Sequence, residues 1–298
     1  MCGIVGLHLR NPELFTMLGE LLTGMLCEMG NRGSDSTGVA VYGNPIWSPP
    51  GRGGVSVVDV RDDAGAIASA VGARLGRDVD VVTVDATHLL SADTTSTELL
   101  DAVKAAYPRA LIAGFGSDMA VLKGVGHPRA LTDAWGLAKA QGWQGVGHTR
   151  MATESAVTPA GCHPYTVGPE QCMVHNGSFA NHATIRRHLR SAGVEFDSEN
   201  DTEVGARFIA KQLADGRDVE SALKELCATF DGFYTLLVSN RDSFAVVRDA
   251  IACKPAVIAE TDDWVAVGSE YRALAGLPGV EGAAIWEPEP EVIYAWKR

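Results

Sequence analysis

The sequence predicts a layered α+β domain, and three observations carry that expectation. A strand–helix–strand pattern is complete before position 45, and an alternating α/β stretch follows over about 46–143. After a run of polar signatures and three helices, the last third of the chain returns to short β-rich runs separated by turns. The order is strands, inserted α/β module, strands, helices, strands. No internal repeat or low-complexity segment interrupts it.

Taken in order, residues 2–9 are β-rich enough for a strand. Asn11-Pro12 is a helix start, with Asn as N-cap and Pro as the first helical residue. Leu14, Leu18, Leu21, Leu22, Met25 and Met29 keep helical spacing up to Gly30, a stop signal. NRGSDSTG is a glycine-rich turn, and Val39–Tyr42 is a second strand. GNPIWSPPGRGG links into the insert. There Val55–Val60, Val79–Val84 and Ala110–Phe115 are strand-like, with helices expected over 64–75, 95–106 and 130–141. GFGSDM has a faint look of a phosphate loop, but without a fingerprint around it a plain turn is the better reading. Helices are expected over 181–192, 202–214 and 219–229, and strands over 233–238, 244–247, 256–259, 264–267 and 292–296.

The 298 residues can bury a sizeable core, and 46% apolar with 21% charged content suits a globular protein. Twenty-five Lys and Arg against 37 Asp and Glu give a net charge of −12, which argues against binding to a phosphate backbone. No apolar run reaches the roughly 18 residues of a membrane span. The first charge of MCGIVGLHLR follows the apolar residues, the reverse of a signal peptide, so the expected location is cytoplasmic. Six cysteines without a CxxC pair suggest free thiols, with no structural metal and no cofactor site.

Cys2 has two readings. It is a small buried side chain opening a strand or, once Met1 is removed, a residue with a thiol and a free α-amine on one carbon. Such an amine has a pKa of about 7.7–8.0 and can accept the proton of its own nucleophile. An attacked carbonyl then needs hydrogen-bond donors. Asn176 has a side-chain amide and Gly177 an unobstructed N–H, although Asn-Gly is also a common turn. An amino-acid substrate needs an arginine for its carboxylate and a carboxylate for its ammonium. Arg150 and Asp201 are the candidates; the ordinary alternatives are a surface ion pair for Arg150 and a helix N-cap for Asp201.

The stretches MCGIVG, NRGSDSTG, GHTRMAT, HNG and NDTE, in this order, resemble the class II glutamine amidotransferase domain, an N-terminal-nucleophile hydrolase. The resemblance runs over roughly 1–45 and 145–270 and leaves the insert outside it, within one domain spanning 1–298. It implies a four-layer αββα sandwich. It also implies Cys2 as nucleophile, Asn176 and Gly177 as oxyanion hole, and Arg150, helped by the Thr153 region, for the glutamine carboxylate. Asp201 is implied for the amine, Arg32 as support for the N-terminal region, and His163 as part of a His-Pro loop over the site.

Two departures stand out. Arg32 and Arg150 are 118 residues apart, several tens more than in sugar-phosphate and purine amidotransferases. Met151 and Glu154 stand where sugar-phosphate members carry an aromatic and a histidine. The wording looks most like the amidotransferase subunit of glutamate-synthase-like enzymes, particularly N-methylglutamate synthase. For such a subunit the resemblance implies L-glutamine as substrate, a flavin-containing synthase subunit and a glutamate-synthase-type β-helix subunit as partners. The alternatives are a stand-alone γ-glutamyl amide or peptide amidohydrolase, a Cys-nucleophile acylase for apolar amides, and a non-catalytic glutamine-sensing subunit.

Overall fold

The computed structural model describes residues 2–152 and 157–298. In chain order the elements are β1 (Gly3–Leu9), α1 (Leu18–Glu28), β2 (Ser36–Tyr42), β3 (Gly53–Val58), α2 (Ala64–Leu75), β4 (Val79–Val84), β5 (Thr87–Ala92), α3 (Ser96–Ala106) and β6 (Leu111–Gly116). There follow β7 (Met119–Val125), α4 (Pro128–Trp135), β8 (Gln144–Arg150), β9 (Cys172–Phe179), α5 (His182–Ser191), α6 (Asp201–Ala214) and α7 (Val219–Thr229). The chain finishes with β10 (Gly232–Ser239), β11 (Ser243–Arg248), β12 (Val257–Glu260), β13 (Trp264–Gly268), β14 (Ala284–Trp286) and β15 (Tyr294–Lys297).

Two sheets form the body: β14-β12-β13-β1-β8-β2-β7 and β15-β11-β10-β9. The period-2 alternation of their strands builds three cores at once. In β1, Val5, Leu7 and Leu9 pack against Leu18, Leu22 and Met25 of α1. Ile4, on the other face, meets Val174, Leu237 and Val246 of the second sheet. The far face of that sheet carries Met173, Leu236 and Val247 against Val204, Ile209 and Leu223 of α6 and α7. The molecule is therefore helix, sheet, sheet, helix, the expected four layers.

A third sheet, β4-β5-β3-β6, is covered on one face by α2 and α3 through Val55, Val57, Leu90, Ile67, Val71, Leu99 and Val103. Its other face leans on the body: Val58 and Ala113 join the core between the two large sheets, and Ser56 Oγ accepts from Val121 N at 3.0 Å. This sheet takes 53–116 of the expected 46–143 insert, while β7 pairs along β2 in the seven-stranded sheet.

Two expected helices are shorter than their sequence patterns. After Asn11, whose side chain accepts from Glu13 N, Pro12–Met17 is a 3-10 helix and the α-helix starts only at Leu18. The α-helical partners Gly19 N–H and Phe15 C=O are both taken by the 140–142 segment: Gly19 N donates to Ala140 O and Gly142 N to Phe15 O, each at 2.9 Å. The helix expected over 130–141 stops at Trp135 because Gly136 adopts φ 60°, a left-handed cap.

Candidate active site

Cys2 precedes β1 in the middle of the seven-stranded sheet, flanked by the register pair Gly3↔Thr149 of β8. Its carbonyl has two donors: Arg32 Nε at 2.9 Å and Asn176 Nδ2 at 3.1 Å. Its sulfur lies 3.9 Å from the carbonyl oxygen of Met151, the residue after Arg150. Three distant pieces of chain thus converge on one half-buried cysteine.

Arg32 sits in the turn after α1 and is buried. Besides holding Cys2 O, its Nη1 pairs with Glu270 Oε1 at 2.7 Å, and Arg272 Nε approaches the other oxygen at 2.9 Å. The Arg32 hydrogen bond holds the Glu270 carboxyl below its ordinary value. Gly33 allows this turn to press on β8: a Cβ there would lie 2.6 Å from the backbone of Arg150. The turn is tied down further by Asp35, whose N–H donates to Arg150 O at 3.0 Å and whose Oδ2 accepts from Ala152 N at 2.8 Å.

Arg150 closes β8 and is only 7% exposed, a buried arginine and not a surface one. Asn176 and Gly177 are not a turn. They lie inside β9, in register with Thr235 and Tyr234 of β10. Gly177 has φ 148°, and a Cβ there would come 2.0 Å from Phe233 O. Only glycine permits that close approach.

Asp201 is not the N-cap of α6. Asn200 caps the helix, accepting from Thr202 N at 2.8 Å, and Asp201 is its first residue. The Asp201 carboxylate is therefore free of capping and accepts instead from Phe179 N at 2.9 Å, three residues beyond Asn176 on β9. His163, expected in a loop over the site, is 5% exposed and packed inside the protein, stacked on His148 with ring centroids 4.0 Å apart. Met1, Thr153 and Glu154 lie outside the described residues.

Behind these residues lies a polar cluster of which only His163 is among the residues implied by the resemblance. Thr202 Oγ1 lies 3.2 Å from His163 Nε2 and 2.9 Å from His175 Nδ1, and His148 Nε2 donates to His175 O at 3.2 Å. Burial pushes His148 down to about 3, His175 down to about 4 and His163 well below the ordinary imidazole value. Glu203, 2% exposed, accepts from Asp197 N, Ser198 N and Ser198 Oγ at 2.6–2.8 Å and thereby shapes the loop before Asp201. The NDTE tetrapeptide was the available signal for both Thr202 and Glu203. Among the described residues, no group of three or more His, Cys, Asp or Glu side chains is disposed to hold a metal ion. Among the described residues, no helix is long and apolar enough to cross a membrane.

An αββα sandwich with a cysteine heading a central strand defines an N-terminal-nucleophile hydrolase. Comparison with known proteins narrows this. Residues 148–276 match the glutamine amidotransferase domain family. The glutamine amidotransferase-like protein GlxB of Rhizobium meliloti is 45% identical over 306 residues, covering 99% of this chain and 98% of that protein. Glutamine–fructose-6-phosphate aminotransferase of Mycobacterium tuberculosis is 35% identical over 137 residues, 45% of this chain and 22% of that one. Glutamine phosphoribosylpyrophosphate amidotransferase from B. subtilis superposes with a TM-score of 0.62 at 17% identity; the match covers 99% of this chain and 49% of that one, so this chain spans about half its length. The chain belongs to the class II glutamine amidotransferase family, enzymes whose nucleophile is an N-terminal cysteine.

Proposed function

We propose that this protein is a glutaminase subunit that hydrolyses the side-chain amide of L-glutamine through a γ-glutamyl thioester on Cys2. The observation that carries the reading is the double contact of Cys2. Its carbonyl accepts from Asn176, and its sulfur faces the residue after Arg150. Nucleophile and oxyanion donor thereby touch, and the end of β8 that carries the carboxylate-binding arginine runs beside them.

The free α-amine of Cys2, once the residue before it is removed, takes the thiol proton, and the sulfur attacks the amide carbon. The Asn176 amide carries two N–H groups. One holds Cys2 O; the second, with Gly177 N–H, stabilises the oxyanion. The Cys2 ammonium protonates the amide nitrogen as the intermediate collapses, so that the C–N bond breaks and the nitrogen leaves as ammonia. Water, deprotonated by the same amine, then cleaves the thioester and releases glutamate. Arg150, assisted from the Thr153 region, binds the substrate carboxylate, Asp201 binds its ammonium, and Arg32 fixes Cys2. The ammonia goes to a separate glutamate-synthase-like synthase, with a flavin-containing subunit and a β-helix subunit as partners. The 53–116 sheet is an appended module of the one amidotransferase domain.

Incubation with glutamine, with and without such subunits, tests this. The wild type releases ammonia and glutamate in equal amounts, and Cys2→Ala releases neither. Absence of both products in every combination refutes the reading.

A further inference from the structure

We infer that Thr202 is a positioning residue for Asp201: the buried pair His163 and His175 both donate to its hydroxyl oxygen, which leaves the hydroxyl proton directed at the Asp201 carboxylate. The consequence for substrate binding rests on the reading of Asp201 as the ammonium-binding carboxylate.

The assignment follows from counting protons. A threonine oxygen accepts two hydrogen bonds and donates one. Thr202 Oγ1 has three neighbours, His175 Nδ1 at 2.9 Å, His163 Nε2 at 3.2 Å and Asp201 Oδ1 at 3.4 Å. The remaining ring nitrogens, His163 Nδ1 and His175 Nε2, are buried and have no partner among the described residues. Buried N–H groups without an acceptor are rare because each forfeits its hydration. If His175 carried its proton on Nε2, or His163 on Nδ1, that N–H would be orphaned. A second proton on either ring would orphan one too, in keeping with the downward pKa shifts of both imidazoles. Each ring therefore carries one proton, on the nitrogen facing Thr202.

With two N–H groups pointing at its oxygen, the hydroxyl can send its proton only to Asp201 Oδ1. The carboxylate is then held from two sides, by Thr202 on Oδ1 and by Phe179 N–H on Oδ2 at 2.9 Å. Each oxygen keeps lone-pair capacity for an ammonium. His148 braces the arrangement from behind: it stacks on His163 and donates to the His175 carbonyl. These histidines come from β8, β9 and the 162–165 segment, so the relay ties three pieces of chain to the first turn of α6.

Two measurements on the full-length protein test this. Nitrogen-15 NMR of the imidazoles near pH 7 is expected to show His175 as the Nδ1–H tautomer and His163 as the Nε2–H tautomer. The opposite tautomer or an imidazolium at either position overturns the relay. In steady-state glutaminase assays, Thr202→Val is expected to raise KM for glutamine about tenfold or more while kcat stays within about threefold, and Thr202→Ser to restore KM. An unchanged KM, or a fall in kcat alone, overturns the positioning role. If the wild type turns over no glutamine, the substrate reading fails, and the tautomers still decide the relay.

Discussion

The Cys2 end of the sandwich and the four-stranded module at 53–116 bury different kinds of residue. Around Cys2 the interior holds Arg32, His148, Arg150, His163, His175, Asn176 and Glu203. In the module, the buried polar residues are Ser56, Thr87, His88, Ser91 and Ser96, with no buried Asp, Glu, Lys or Arg. Buried charge is expensive unless it is paired and hydrogen-bonded. The module is held by ordinary packing, whereas the Cys2 end carries an internal polar scaffold whose members position one another. Substitutions in the first region should act on chemistry and on the pH dependence of stability, and those in the second on stability alone.

After Cys2→Ala, which abolishes turnover, the largest effect is expected from Arg150→Ala. Loss of a charge-assisted fork to the substrate carboxylate should lower kcat/KM for glutamine by about 10²- to 10⁴-fold. A loss below tenfold would remove Arg150 from the binding site. In the module, Leu99→Ala empties a fully buried position between α3 and β3. It should cost about 2–5 kcal/mol in denaturant unfolding. Turnover per folded molecule should be unchanged, and a parallel fall in turnover would mean that the two regions are not separable.

The same contrast explains what was legible in the sequence. The module's α2 and α3 were readable nearly to the residue. Their signals are local: Asp63 caps α2, and Thr95 with Glu98 forms a capping box on α3. QGVGHTR has no apolar alternation and shows only a polar signature in the sequence, yet β8 is a central strand buried along its whole length. Asn176-Gly177 has the look of a turn locally and becomes a strand only through pairing with β10, more than fifty residues further on. Cys2, Arg32, Arg150, Asn176 and Asp201 could be proposed from motif order. The roles of Thr202, His175 and Glu203 could not, since they depend on which buried nitrogens and oxygens meet in space. Asp201 sits one residue past the cap, and the Asn200 cap is what leaves its carboxylate available.

The smallest effect separates the regions by pH. His148, His163 and His175 are held neutral, with folded-state pKa values below the unfolded value of 6.5. The unfolded chain binds more protons than the folded one below that value. Their contribution to stability is therefore complete above pH 6.5 and is lost as pH falls toward 4 and 3. Each such group adds a slope of up to about 1.4 kcal/mol per pH unit. Denaturant melts between pH 6.5 and 5 should show stability falling with pH. His148→Gln, which can keep a donor to His175 O, should flatten that slope by one group's share. An unchanged slope would mean that His148 does not titrate on unfolding.

The central claim is that Cys2 is the nucleophile and becomes so when its amine is free. Intact-mass spectrometry of the protein quenched during turnover of glutamine tests it most directly. The expected result is a chain lacking Met1 that carries one γ-glutamyl group, mapped to Cys2 and missing in Cys2→Ala. Hydrolysis by a chain that retains Met1, or an adduct mapped to any other residue, would contradict it.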